Sequence, residues 1–140
     1  MSNQNEFITL PLTIKRGGIE IVPMRSGLNW GQRPGRNSDQ AYLSIPAEIQ
    51  RSGFFPERGR EFLLGCDDGE IFKCVRAQAN GKAIECPQGN ALLGLYFRKR
   101  LAVRPGYLVT IGHLQKYGRT SVDISRINQY RYFLDFSIVS

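Results

Sequence analysis

Two stretches gather the side chains whose types could do chemistry. Residues 31–40 carry Gln32, Arg33, Arg36, Asn37, Asp39 and Gln40, with almost no apolar side chain among them. Residues 78–90 carry Gln78, Asn80, Lys82 and Gln88. These types suit the edges of bases: Arg forks onto guanine, Asn and Gln onto adenine, and Asp accepts from the cytosine amino group. Gly31, Pro34 and Gly35 shape the first stretch as a loop rather than a helix or regular strand. A polar surface loop is the plainer alternative.

A catalytic reading finds little support. The only histidine is His113, and no G-x-S-x-G or P-loop is present. His113 is followed by Leu114 and Gln115, so the H-x-K motif of phospholipase D-type nucleases is missing. Cys66, Cys74 and Cys86 are an odd number without a C-x-x-C pair, which argues for buried free thiols over a disulfide framework, a zinc ribbon or a Cys–His nucleophile. Asp67-Asp68 has the composition of a metal-binding carboxylate pair for a stand-alone nuclease. Followed by Gly69 between two apolar runs, it reads better as a turn. No catalytic residue, metal ligand or cofactor is expected.

Charge points the same way. Of the net +7, a share of +5 lies in residues 76–104, where Arg76, Lys82, Arg98, Lys99, Arg100 and Arg104 are set against Glu85 alone. A localised excess fits a polyanionic partner, most simply nucleic acid; a solvated basic face is the alternative. Lys99, Arg98 and Arg100 also suit the negative end of a helix dipole. Candidate phosphate contacts are Arg76, Lys99, Arg104, Lys116 and Arg119.

The elements that must hold these residues are short. At 140 residues and 41% hydrophobic the chain is expected to form one domain with a real core. No apolar run reaches membrane-spanning length and no signal-peptide layout opens the chain, so a soluble cytoplasmic protein is expected. Residues 1–6 are polar and expected to fray. Strands are predicted over 7–14, 19–22, 41–45, 60–66, 70–76, 83–86, 107–111, 120–124 and 130–136. Asp67-Asp68-Gly69 is a hairpin signal. Helices are predicted over 47–51, behind Pro46, and over 91–101, with Asn90 as cap and Leu93, Phe97 and Leu101 on one face. Residues 113–119 read as a loop. Trp30, Tyr96, Phe97, Tyr132 and Phe133 occupy apolar positions and read as core rather than as stacking platforms. Seven or eight of these short strands, with the two short helices, give a mainly β pattern that suggests a closed or half-closed barrel. A protein-interaction β-barrel with an incidental basic face would share that pattern.

Leu28-Asn29-Trp30-Gly31-Gln32-Arg33, with Arg36 and Ala41-Tyr42, resembles the opening of the C-terminal domain of NgoFVII-type restriction endonucleases. The likeness continues through Asp67-Asp68-Gly69 with Cys74, Asn80-Gly81-Lys82-Ala83-Ile84-Glu85, and Leu93-Gly94-Leu95-Tyr96-Phe97-Arg98 with Arg100-Leu101. It closes with Tyr117-Gly118-Arg119-Thr120 and Leu134-Asp135-Phe136-Ser137. It spans about residues 26–137, with residues 1–25 as an N-terminal strand and extension.

The resemblance implies a plant-B3-like fold, a seven-stranded open pseudobarrel with two short helices. It also implies an N-arm and a C-arm that read a short site in the major groove of double-stranded DNA. The N-arm would supply Gln32, Arg33, Arg36, Asn37 and Asp39; the C-arm would supply Gln78, Asn80, Lys82 and Gln88. Asn29, Trp30 and Gly31 would be the frame from which the N-arm leaves the barrel. Members of this family carry a phospholipase D-type nuclease domain ahead of this one. Such a domain, in the same protein or on another subunit, is the expected partner.

Overall fold

Alternation of inward and outward side chains is what curls this chain around a core. A computed structural model describes residues 6–138; residues 1–5 and 139–140, including nearly all of the polar N-terminal tail, lie outside the described residues. In β5 (Phe62–Cys66), Phe62, Leu64 and Cys66 are buried while Leu63 and Gly65 are only partly covered. In β9 (Arg131–Asp135), Tyr132 and Leu134 are buried while Arg131 and Phe133 are exposed. The period of two places one face of each strand inside.

The remaining strands among the described residues are β1 (Phe7–Pro11), β2 (Ile14–Arg16), β3 (Ile19–Ile21), β4 (Leu43–Ser44), β6 (Ile71–Ala77), β7 (Ala83–Glu85) and β8 (Ser121–Asn128). Seven of them form one sheet in the order β1-β8-β9-β5-β6-β7-β4, and β2 and β3 form a separate hairpin. The edge strands β1 and β4 approach each other, so the sheet is nearly closed. All ladders are antiparallel except β5 with β9, where Leu63 pairs Arg131 and Cys66 pairs Leu134. This is the mainly β, seven-stranded pseudobarrel that the sequence implied.

Helices α1 (Ala47–Gln50), α2 (Ala91–Leu101) and α3 (Ile111–Tyr117) accompany the sheet. α2 inserts Leu93, Phe97 and Leu101 into the core, as the i, i+4, i+8 spacing predicted. The hairpin predicted at Asp67-Asp68-Gly69 joins β5 to β6, with Phe62 opposite Cys74 and Gly65 opposite Ile71. Among the described residues no helix is long and apolar enough to cross a membrane.

Five expectations are corrected. The strand over 7–14 breaks into β1 and β2. Gly27–Gln32 is a 3-10 helical segment rather than open loop. Asn90 caps α2 with no side-chain hydrogen bond. The strand over 107–111 and loop over 113–119 are instead an irregular segment followed by α3, a third helix. Its start is a capping box in which the Thr110 N–H donates to His113 Nδ1 at 2.9 Å. Phe133 is 37% exposed and so departs from the core assignment; Trp30, Tyr96, Phe97 and Tyr132 are buried.

Candidate nucleic-acid interface

Both polar stretches hang from one short ladder. β4 pairs with β7 through Leu43–Ile84 and Ser44–Ala83. At one end, the Ala41 N–H donates to the Asn90 carbonyl at 3.0 Å; at the other, the Ile45 N–H donates to the Lys82 carbonyl at 2.7 Å. Trp30, Tyr42 and Ala83 form a second, small core on this ladder, with the two rings edge to face at 5.2 Å. The root of the N-arm (residues 31–40) is thus packed against the strand that carries the C-arm.

The N-arm folds back on itself. The Gly31 N–H donates to the Gln40 carbonyl at 2.8 Å, and a Cβ on Gly31 would lie 2.1 Å from the Asn37 carbonyl oxygen. Only glycine permits that closure. Asn37 Oδ1 accepts from the Asp39 N–H at 2.9 Å, an Asx turn at the tip. Arg33, Arg36 and Asn37 are exposed. Arg33 donates through Nε to the Arg25 carbonyl, with no hydrogen bond from its two terminal nitrogens among the described residues. Arg36 sits over the Trp30 ring.

Gln32 and Asp39, expected as base readers, are half-buried, and their polar atoms hold the arm. Gln32 Nε2 donates to the Ser38 and Gly106 carbonyls. Asp39 Oδ1 accepts from the Gly106 N–H at 2.6 Å and lies 3.3 Å from Arg98 Nε. Arg98 is 1% exposed, and it also donates to the carbonyls of Leu28, Gly94 and Tyr107. Burial pushes the Arg98 guanidinium below its ordinary pKa, and the Asp39 carboxylate opposes that push. Asn29, wholly buried, donates to the Pro23 and Val109 carbonyls and accepts from the Val109 N–H. Every polar atom of that amide group is engaged, as a buried amide requires. Asn29, Trp30 and Gly31 are therefore the frame of the arm, as the sequence suggested.

β7 divides the C-arm into turns at its two ends. Asn80, in a left-handed backbone conformation (φ 60°), and Lys82 are exposed in one; Gln88 is exposed in the other, beside the N-arm exit at Ala41. Gln78 is drawn back onto the strand, where its Nε2 donates to Glu85 Oε2 at 2.8 Å.

The basic residues sort into two groups that their spacing does not reveal. Arg76 is turned to the carbonyls of Gln50, Pro56, Asn80 and Gly81, so it shapes the C-arm instead of facing outward. Arg119 bridges Asp123 at 3.0 Å and Asp135 at 3.4 Å and is likewise structural. Arg100 forks onto Asp67 at 3.2 and 2.9 Å and also reaches the Phe136 carbonyl. That contact engages both Asp67 oxygens in the fold, and Asp68 accepts from the Tyr96 hydroxyl. Cys66, Cys74 and Cys86 are buried free thiols. Lys82, Lys99, Arg104 and Lys116 are exposed, with no hydrogen bond or ion pair from their side chains among the described residues.

Sequence reasoning missed the α2 side of this arrangement. Gly94 is the residue that would have signalled it, since a lone glycine inside a helical run marks a close backbone approach. A Cβ there would fall 1.6 Å from the Asp39 carbonyl oxygen. No curated protein matches the chain. A family model, that of the NgoFVII C-terminal B3-like DNA-binding domain, matches residues 1–128 and so takes in β1 to β3 as well. With its pseudobarrel and this match, the chain belongs to the family of NgoFVII C-terminal B3-like DNA-binding domains, and its partner is DNA.

Proposed function

We propose that this domain reads a short specific site in the major groove of double-stranded DNA, as the target-recognition domain of a restriction endonuclease. The observation that carries the reading is the mounting of both arms on the β4–β7 ladder, with Arg33, Arg36 and Asn37 exposed on the N-arm and Asn80, Lys82 and Gln88 exposed on the C-arm. These are base-reading types. Lys99, Arg104 and Lys116 supply phosphate contacts, which position a protein without reading sequence. Family membership supports a nuclease, of the phospholipase D type, as the domain or subunit that cuts.

Selection from randomised duplexes at two salt concentrations tests this. A motif enriched at both salts is expected, with affinity falling as salt rises. Enrichment of no motif at moderate salt overturns specific reading. Plasmid incubated with the pure chain and magnesium should remain intact. Metal-dependent cutting abolished by Asp68→Ala would replace this reading with that of a stand-alone nuclease.

A further inference from the structure

The segment after α2 meets the N-arm at Gly106, the buried Arg98 at Tyr107 and the frame residue Asn29 at Val109. The Gly106 N–H meets Asp39 Oδ1, and the Gly106 carbonyl meets Gln32 Nε2. The Tyr107 carbonyl meets Arg98 Nε, and the Val109 N–H and carbonyl meet Asn29. The same Arg98 reaches Asp39 and the Leu28 carbonyl, and the Asp39 backbone lies in the notch left by Gly94. A free ten-residue loop would order itself only on meeting its ligand and would lose affinity in doing so. Here ordering is completed when the chain folds.

We infer that Asp39 and Arg98 are positioning residues that lock the N-arm to residues 104–110, so that base-reading Arg36 and phosphate-binding Arg104 reach DNA as one rigid unit. This rests on the recognition reading above. Neither residue touches DNA. Their effect falls on register: with the clamp closed, the grip of Arg104 on the backbone fixes where Arg36 meets the bases.

The test has two arms. Hydrogen exchange on the free wild-type domain should show protected amides at Gly31, Gln40 and Gly106. Free exchange at all three overturns the inference, whatever the DNA results. In the second arm, Asp39→Asn weakens the ion pair, and Gly94→Ala displaces the arm while leaving every charge in place. Each variant that melts cooperatively should lose on the order of tenfold in affinity for the selected site. Affinity for random duplex, and its salt slope, should stay as in the wild type. A change confined to stability would leave the ratio of specific to random binding unaltered, and that outcome overturns the inference. So does a wild-type selection without a motif, which removes the recognition reading as well. If neither variant folds, Gln32→Ala, which removes only half-exposed hydrogen bonds, is read by the same criteria.

Discussion

The guanidinium of Arg36 lies over the indole of Trp30, its Cζ 3.9 Å from the ring centroid, while Nη1 donates to Gln40 Oε1 at 2.7 Å. The ring is in turn seated on Tyr42 and Ala83. A planar cation on an aromatic face keeps its N–H edge free and its orientation narrow, a geometry that lysine cannot reproduce. This exposed arginine of the N-arm is therefore supported from below by the barrel.

Arg36→Ala should relax sequence preference at one position by about 1–3 kcal/mol and leave stability nearly unchanged. Arg36→Lys should not restore the preference. Competition titrations against duplexes substituted at each position measure both. Trp30→Ala, by contrast, should cost about 3–5 kcal/mol of stability, read by denaturant unfolding, because a buried ring is removed.

Lys99 and Arg119 make a contrasting pair. Lys99→Ala should weaken all duplexes alike and reduce the slope of log affinity against log salt by about 0.9. Arg119→Ala should leave that slope unaltered and cost about 1–3 kcal/mol of stability, because Asp123 and Asp135 lose their shared partner. A salt titration combined with a melting curve separates the two roles.

Acid should destabilise the domain through Asp67 and Asp135. Burial would raise Asp67, but the Arg100 fork and the Phe136 N–H outweigh it and hold the carboxyl below its ordinary range. Asp135 is held low by the Ser137 hydroxyl and N–H, with Arg119 adding to them. Both groups titrate lower folded than unfolded, so their stabilisation is complete above about pH 4 to 5. It is lost as pH falls through their folded values. Asp67→Asn should flatten the dependence of melting temperature on pH below 4 and lower stability at neutral pH by about 1–3 kcal/mol.

Thiol chemistry offers a further check on the core. Burial pushes the Cys66 thiol up to about 12. Cys74 is raised well above its ordinary value by its hydrogen bond with Cys86 and by burial, and Cys86, though lowered by the same bond, is 1% exposed. A thiolate is the reactive form and needs access. Iodoacetamide at pH 8 should therefore label no cysteine in the native domain and all three in denaturant, as mass spectrometry would show. Native labelling of Cys66 would contradict the packing of β5.

The parts of this fold that were legible in the chain are those set by local chemistry. The Asp67-Asp68-Gly69 turn and the apolar spacing of residues 91–101 located β5, β6 and α2 because turn residues and helical period act within a few positions. α3 was not legible. Tyr107-Leu108-Val109-Thr110-Ile111 has strand composition, but both backbone polar groups of Val109 are taken by Asn29, eighty residues away. The arms were legible as polar interruptions, and the roles within them were not. Arg98, Lys99 and Arg100 are consecutive, yet the 100° step of a helix sends the first into the N-arm frame, the second to solvent and the third to Asp67. Charge per residue carries no such directional information.

The parallel pairing of β5 with β9 has a consequence for how the domain comes into being. β9 lies between β8 and β5, in the interior of the sheet, although it is the last strand in sequence among the described residues. Until residues 131–135 have been synthesised, β5 and β8 each face an empty lane, and the two halves of the barrel share no ladder across it. Closure thus joins residues some seventy positions apart at the final step, a topology that makes for slow folding. A chain truncated after residue 128 would carry its two polar arms on a sheet with two raw interior edges, a condition that favours pairing with other strands.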